Sequence, residues 1–345
     1  MGVEEEFLLV DPHSGAPVPK NSEVAERAAE RGVDLQLELT TCQVETATGV
    51  LTTRDDILRE VTRLRKTVAQ AADDCGARLL AVGLPPTVPN EFPITDKPRY
   101  RQIAERFGMI AHEQGISGCH VHVAVPERAV AVQVCNRLRP WLPKLLAISA
   151  NSSIYRKADT GYASWRSILW ARWPSSGPPP HLASAAEYDA EIAMMLDAGA
   201  MLDDGMVYWD ARPSRNFPTV EVRVADVCST AAEAVLLATI SRAAVMTALA
   251  AIDRGEPEPR ISDHALRAEY WRAARYGLHD QDGDLLRFVD EMAPALEQLG
   301  DYEYVRVELK RLAHEGNGAM RQRQAWQRRG DIDDVVAEAA AATVR

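Results

Sequence analysis

The chain has 345 residues, 46% of them hydrophobic, so it is long enough to bury a substantial core. Its formal charge of −11 argues against nucleic acid or an anionic membrane as the main partner. The five cysteines are scattered and lack a CxxC motif, which argues against a disulfide framework or a thiolate zinc site and fits a reducing cytoplasm.

Strands and helices alternate in the first half of the chain. Alternating hydrophobicity predicts strands over 1–10, 34–38, 78–84 and 117–125. Helical periodicity and capping residues predict helices from Asn21 or Ser22 to Arg31, from Thr53 to Gly76, over 100–114 and from Pro126 onwards. Because these strands carry charged faces, whereas parallel strands usually read as continuous apolar runs, we favour an antiparallel sheet with one functional face.

The second half begins with a long segment, 151–181, whose Gly, Pro, Ser and Trp content favours a functional loop. A helix over 183–198 follows, and then two strands over 206–212 and 219–226, separated by the turn PSRNFP. From Thr230 the pattern is almost entirely helical. We therefore predict an α+β fold in which residues 1–345 form one domain, mostly helical after residue 230.

Two features bear on location in the cell. No basic start followed by an apolar run and a small-residue cleavage site is present, so we expect no secretory signal. The most apolar stretch, from Ala231 to Ile252, is interrupted by Glu233, Ser241 and Arg242, which would be costly at membrane depth. We interpret it as a buried core helix and expect a cytoplasmic protein without a membrane partner.

Three strands carry ionisable side chains two residues apart. The pairs are Glu4 with Glu6, His120 with His122, and Glu221 with Arg223. Because successive strand side chains point to opposite faces, each pair lies on one face. Burying carboxylates costs roughly several kcal/mol each unless a cation or hydrogen bonds compensate, so the pattern indicates a shared ion.

Each pair also has a simpler interpretation. The glutamates could face water on an edge strand, the histidines could be hydrogen-bonded strand residues, and Glu221 with Arg223 could form a structural ion pair. The run of three glutamates at 4–6 favours a divalent cation, which would relieve their repulsion. Hard oxygen ligands suit Mg²⁺ or Mn²⁺ better than zinc, and Mg²⁺ commonly bridges to substrate phosphates, so the set points to nucleotide chemistry.

The usual phosphate-binding motifs are missing from the sequence. It contains no GxxxxGK[ST] and no GxGxxG after a strand. We therefore predict that arginine and lysine side chains hold the nucleotide phosphates, namely Arg223 beside its carboxylate and Arg156 and Lys157 in the long segment.

Longer segments of the chain are similar to a known family. They are GVEEEFLLVD, RYRQIAERFG, SGCHVHVAVP, SANSSIYRKADTGYASWRSILWARWPSSGPP, YWDARPSRNFPTVEVRVADV and GNGAMRQRQAW. Together they resemble the carboxylate–amine ligases of the glutamate–cysteine ligase type 2 family, in the glutamine synthetase-like superfamily. The resemblance implies a glutamine synthetase-like catalytic fold, in which a curved antiparallel β-sheet forms a funnel with helices packed on its outer face. ATP would enter one end and the amino-acid substrate the other.

The resemblance also implies residue roles. The implied metal ligands are Glu4, Glu6, Glu38, Glu45, His120 and Glu221. Arg223 would face the transferred phosphoryl group, and Arg166 in SWRS and Arg212 in DARPS would bind a substrate carboxylate. For Arg212 the alternative is a surface salt bridge at a strand end. Relatives usually have several residues before GVEEEF, which leaves two alternatives: a short first strand, with Glu4 near a frayed end, or a misassigned start site.

The implied activity is ATP-dependent amide formation through an acyl phosphate, with ATP and Mg²⁺ or Mn²⁺ as cofactors. The partners would be a small carboxylate and a small amine; glutamate and cysteine are the pair that the family name suggests, with weak or nominal activity. A ligase for another acid and amine is the alternative. Two further alternatives are a metal-dependent hydrolase using His120, His122 and the glutamates around zinc, and a nucleotide-binding protein without catalysis. The helix over 231–252 could supply a homodimer face.

Overall fold

A computed structural model describes residues 1–89, 91–113, 115–278 and 284–345. The strands are β1 (Gly2–Val10), β2 (Gln36–Leu37), β3 (Gln43–Ala47), β4 (Arg78–Leu80), β5 (Gly118–Ala124), β6 (Ile154–Tyr155), β7 (Ala158–Asp159), β8 (Ser176–Gly177), β9 (Tyr208–Trp209), β10 (Ala211–Pro213) and β11 (Thr219–Asp226).

Helices fill most of the remaining chain. They are α1 (Asn21–Ala29), α2 (Arg54–Asp74), α3 (Pro98–Phe107), α4 (Met109–His112), α5 (Arg128–Leu138), α6 (Leu142–Ser149), α7 (Trp165–Trp170), α8 (Ala185–Asp197), α9 (Ala231–Asp253), α10 (Asp263–Tyr276), α11 (Asp284–Asp290), α12 (Ala293–Leu299), α13 (Tyr302–Glu315), α14 (Gly318–Arg329) and α15 (Ile332–Thr343). As predicted, the chain after Thr230 is almost entirely helical.

The main sheet has the order β10-β11-β5-β1-β3-β2, with β4 beside β1. One edge of β1 is shared: its first half pairs with β5 and its last three residues pair with β4. Every pairing in this sheet is antiparallel, which confirms the prediction. The central position of β1 puts the glutamate run in the middle of the sheet.

The first strand has nearly the full length that its hydrophobic pattern predicts. It runs over nine residues from Gly2, and the ammonium group of Met1 donates a hydrogen bond to the Leu51 carbonyl oxygen at 2.7 Å. Glu4 lies opposite both Ala47 and His120, inside two ladders. The alternative of a short strand with Glu4 near a frayed end is wrong, because hydrogen bonds on both sides hold this residue.

Several predicted elements have different bounds in the structure, and one strand of the main sheet was not predicted. The helix expected over 100–114 begins at Pro98 and is interrupted at Gly108, because the φ of 55° at this glycine is incompatible with a right-handed helix. The expected end of this helix, Gln114, lies outside the described residues. The helix expected from Pro126 begins two residues later, after an extended Glu127. Strand β3 was not predicted, since QVETA carries little apolar alternation; it forms because it pairs with β1.

The face of the sheet opposite the paired ionisable residues packs on helices. Val3, Val121 and Val222 belong to the largest core cluster, together with the inner residues of α9. Helix α9 begins after Thr230, whose side chain accepts a hydrogen bond from the Glu233 amide. Among the described helices it alone has the length and hydropathy of a membrane span, and 67% of that stretch is buried inside the protein. It is a core helix, as predicted, so most of its apolar surface is not free for a dimer contact.

Candidate active site

The strand register gathers the paired ionisable residues on one face. Glu4 lies opposite His120, Glu6 opposite Glu45, and Glu221 opposite both His122 and Arg212. These contacts cross five adjacent strands of the sheet. The side chains line one cavity of about 450 Å³. The period-two spacing seen in the sequence therefore becomes a single polar wall.

Glu4, His120 and Glu221 form the first group of potential metal ligands, with one donor atom from each within 4.8 Å of the others. Glu4 Oε2 lies 3.4 Å from His120 Nδ1, and Glu4 Oε1 lies 3.3 Å from His122 Nε2. Burial opposes ionisation of Glu4, but the hydrogen bonds from the two histidines outweigh it and lower the pKa of Glu4. This carboxylate is therefore ionised and ready to bind a cation.

Glu6, Glu45 and His120 form the second group, again within 4.8 Å. Glu6 accepts a hydrogen bond from the Gly118 amide at 2.6 Å. Burial, followed by the charges of Glu38, Glu4 and Glu6, raises the pKa of Glu45 well above its usual range. His120 belongs to both groups through different ring nitrogens, and a neutral imidazole has one unprotonated nitrogen, so it can serve one group at a time.

Glu6, Glu38 and Glu45 place three carboxyl groups close together, and burial together with the charge of Glu38 opposes ionisation of Glu6 and Glu45. Among the described residues, no lysine or arginine nitrogen lies within 4 Å of these three carboxylates, although all three line the cavity. Buried or half-buried carboxylates without a counter-charge are costly, and a divalent cation with oxygen ligands compensates them. The donor set therefore fits Mg²⁺ or Mn²⁺.

Glu221 lies between two arginines. Arg212 Nε donates to Glu221 Oε2 at 2.8 Å, and Arg223 donates to Oε1 of the same carboxylate. Burial opposes its ionisation, but the charges of Arg223 and Arg212 prevail and lower the pKa of Glu221. The Arg212 side chain is only 15% exposed, so its ion pair lies inside the cavity and is not a surface salt bridge.

Arg166 reaches the cavity from α7 and is buried. Its guanidinium occupies the space above Gly118, where an added Cβ would lie 2.5 Å from Arg166 Nη2. Only glycine leaves room for this approach. The Gly118 amide also donates the hydrogen bond to Glu6. This one glycine therefore positions a carboxylate of the site and leaves space for an arginine of the site.

A buried carboxylate, Asp226, anchors the segment that carries Arg166. It accepts hydrogen bonds from the Asn151 amide at 2.8 Å, from Ser152 Oγ at 2.7 Å and from Ser164 Oγ at 2.8 Å. Ser152 Oγ also accepts from the Arg166 amide at 3.0 Å. Asp226 thereby connects the end of β11 to the start of α7.

The structure does not bring Arg156 and Lys157 to this cavity. They form the two-residue turn between β6 and β7, and both have left-handed backbone conformations, with φ of 52° and 60°. Such turns need positive φ at both positions because of the twist of the hairpin. Arg156 donates instead to Glu113 at 3.1 Å, and neither residue lines the cavity.

The cavity contains residues that the sequence did not single out. They are Arg99, Tyr100, Trp170, Trp173, Tyr208, Arg215 and Phe217. Two of them, Arg215 and Phe217, lie in the turn PSRNFP, and the ring centroid of Phe217 lies 5.9 Å from that of His122. A basic and an aromatic residue in the turn between two site strands was a usable signal. The others come from elements distant in sequence, and no local pattern marks them.

The sequence profile of glutamate–cysteine ligase family 2 matches residues 1–338. The chain belongs to this family. A relative from Mycobacterium sp. strain KMS, which has the provisional name glutamate–cysteine ligase 2-2, is 62% identical over 357 residues, covering 100% of this chain and 98% of the relative. Membership in glutamate–cysteine ligase family 2 makes the chain a carboxylate–amine ligase, as predicted, and not the zinc-dependent hydrolase kept as an alternative.

Solved structures of two other ligases share the fold of this family member. One is a bifunctional glutathione synthetase from Pasteurella multocida, with a TM-score of 0.71 and 14% identity, covering 99% of this chain and 52% of that protein. The other is a glutamate–cysteine ligase from Francisella tularensis in complex with AMP, with a TM-score of 0.70 and 13% identity, covering 99% and 87%. The predicted glutamine synthetase-like α+β fold is confirmed.

Proposed function

We propose that this ligase uses ATP to join a small carboxylate to a small amine at the cavity on the polar face of the sheet. The observation that carries the proposal is the cluster of Glu6, Glu38 and Glu45, which has no lysine or arginine nitrogen within 4 Å among the described residues. Metal-bound ATP supplies the missing positive charge and also the phosphates that Arg223 can contact. Nucleotide bound to a related ligase of the same fold is consistent with this proposal.

The metal would be held by Glu4, His120 and Glu221 in one group or by Glu6, Glu45 and His120 in the other, with Glu38 nearby. When bound, Mg²⁺ or Mn²⁺ neutralises phosphate charge and orients the phosphoryl group. The chain's own contribution is a rigid set of carboxylates on neighbouring strands, positioned before any ligand arrives.

The chemistry needs two steps. A carboxylate oxygen of the acid attacks the γ-phosphorus of ATP, the bond to the bridging oxygen breaks, and ADP leaves with that electron pair. The amine nitrogen then attacks the acyl carbon, phosphate leaves, and the nitrogen loses a proton to give the amide. Arg223 would stabilise the transferring phosphoryl group, and the buried Arg166 and the half-buried Arg212 would each bind a substrate carboxylate.

The names of the relatives suggest glutamate and cysteine as the first pair to assay. A specific acid and amine do not follow from membership of a family, since substrates vary on one fold. We therefore keep a different acid and amine as the second candidate. All five cysteines are free, which agrees with a reaction in the cytoplasm.

The test is ADP release with Mg²⁺ and ATP over a panel of acids and amines. Glu221→Gln removes a ligand and the partner of two arginines, so we expect amine-dependent ADP release to fall by at least about 100-fold. Far-UV circular dichroism should show a folded protein. Glu60→Gln is the matched control, because Glu60 pairs with Arg63 on the outer surface of α2. Near-normal turnover of Glu221→Gln would remove Glu221 from the site.

A further inference from the structure

A second, larger cavity of about 700 Å³ adjoins the site. Arg166 and Trp170 line both cavities, so the two are neighbours. Most of the wall is apolar: it is formed by Trp209, Leu266 and the proline run at 178–180, among others. A space of this size and character is typical of a small-molecule pocket.

The polar end of this cavity holds a buried carboxylate. Asp210 is 5% exposed, and among the described residues no cationic nitrogen lies within 4 Å of it. Burial raises its pKa to about 6, against the opposing charge of Arg166, so it is mostly ionised at neutral pH. The Tyr270 hydroxyl lies close to this carboxylate but makes no hydrogen bond of normal geometry. A buried anion in this position is stabilised by a cation from a ligand.

Two guanidinium groups on the same cavity have unused donors. The Nε atoms of Arg139 and Arg166 are buried and have no hydrogen-bond partner among the described residues. Arg139 Nη2 donates a hydrogen bond to Asp263 Oδ1 at 2.5 Å, and Arg166 Nη1 donates one to the Val224 carbonyl oxygen at 3.4 Å. Both residues are at most 3% exposed. Buried arginine nitrogens without a partner occur elsewhere in this protein too, for example on Arg137 and Arg321. Arg139 and Arg166 point to a ligand because both line this cavity, where their guanidinium charges would attract an anionic group.

We propose that the second cavity binds an α-amino acid with an apolar side chain as a zwitterion. Its ammonium group pairs with Asp210, its carboxylate accepts hydrogen bonds from Arg139 and Arg166, and its side chain lies against the tryptophan and proline wall. Its role as the amine substrate rests on the proposed ligase function and on the position of this cavity next to the metal-binding one, from which Arg166 and Trp170, the described residues that line both cavities, separate it.

Tryptophan fluorescence provides a direct binding assay, since Trp170, Trp209 and Trp271 line the cavity. Leucine and phenylalanine should give saturable changes, with or without Mg²⁺ and a nonhydrolysable ATP analogue. Glutamate should bind less tightly than either. N-acetylphenylalanine, which lacks the ammonium group, and phenethylamine, which lacks the carboxylate, should each bind at least about tenfold more weakly than phenylalanine.

Two variants test separately the contacts of the ligand's ammonium group and of its carboxylate. Asp210→Asn should weaken phenylalanine binding by at least about tenfold, whereas Asp189→Asn, a surface aspartate paired with Arg128, should leave it unchanged. Arg139→Gln should weaken phenylalanine but not phenethylamine. Should Asp210→Asn fail to fold, the Arg139 variant tests the proposal by itself.

The outcomes also distinguish this proposal from the ligase function. Glu221→Gln should lose ADP release but still bind phenylalanine. Absence of saturable binding of apolar amino acids to the folded protein in both conditions would overturn the proposal. Equal affinity in wild type and both cavity variants, or tighter binding of glutamate, would overturn it as well. Binding that persists while no acid and amine pair releases ADP would instead refute the ligase function.

Discussion

The Glu5 carboxylate accepts hydrogen bonds from Arg65 Nε at 3.0 Å and from Arg65 Nη2 at 2.5 Å, on the side of the sheet opposite the cavity. The pair is almost completely buried, and Arg65 also donates to the carbonyl oxygens of Cys228, Ser229 and Thr343. Of three consecutive glutamates, the middle one therefore stabilises the fold, and its neighbours face the site.

Arg65→Met should destabilise the protein by about 3–5 kcal/mol, because it leaves the Glu5 carboxylate buried without a partner. Urea unfolding followed by circular dichroism measures the change. Arg63→Met on the same helix is the control: its ion pair with Glu60 is exposed, and its loss should change stability by less than about 1 kcal/mol. Similar stability changes in the two variants would contradict a supporting role for Glu5.

Glu45→Gln should stabilise the metal-free protein and weaken its response to magnesium. Burial and the charges of Glu38, Glu4 and Glu6 raise the pKa of Glu45, so folding at neutral pH has to protonate this group or bury its charge; a neutral amide avoids that cost and should add roughly 0.5–2 kcal/mol in the presence of EDTA. The measurement is thermal unfolding in EDTA and across a magnesium titration. An unchanged magnesium-dependent rise in Tm would argue against Glu45 as a ligand.

The free energy of unfolding should depend on pH through Asp210. Its folded pKa, raised to about 6 mainly by burial, exceeds the unfolded value of 3.8. The native state therefore retains a proton that the unfolded state has lost, so this contribution is full below about pH 4 and is lost as pH rises through 6. The loss is about 3 kcal/mol at most.

Urea unfolding between pH 4 and pH 7 tests this dependence. Asp210→Asn should flatten the profile relative to wild type, whereas Asp189→Asn on the surface should not. Identical profiles for wild type and Asp210→Asn would show that another group controls this range.

Asp226→Asn should impair catalysis through Arg166. The amide cannot accept as many hydrogen bonds from Asn151, Ser152 and Ser164, and it removes the charge that lies 3.9 Å from Arg166 Nη1. Asp226→Asn and Arg166→Lys should be non-additive in kcat/KM, with a coupling of roughly 0.5–3 kcal/mol. Additive effects within error would assign Asp226 to stability alone.

Local sequence determined which residues share a face and where several helices begin. A strand repeats every two residues regardless of its surroundings, so the pairs at 4 and 6, 120 and 122, and 221 and 223 could be assigned to single faces. Thr53 and Thr230, from which helical patterns were predicted, are the residues that cap α2 and α9, because a cap depends only on the next three residues.

Tertiary structure alone decided which faces meet. The register that sets Glu4 opposite His120 and His122 opposite Glu221 depends on strand order, which joins segments roughly one hundred residues apart. The resemblance supplied Glu38 and Glu45, but β3 itself has too weak a pattern to predict. The position of Arg156 and Lys157 away from the cavity, the partnership of Glu5 with Arg65 and the second cavity around Asp210 all arise from long-range packing, which no local period encodes.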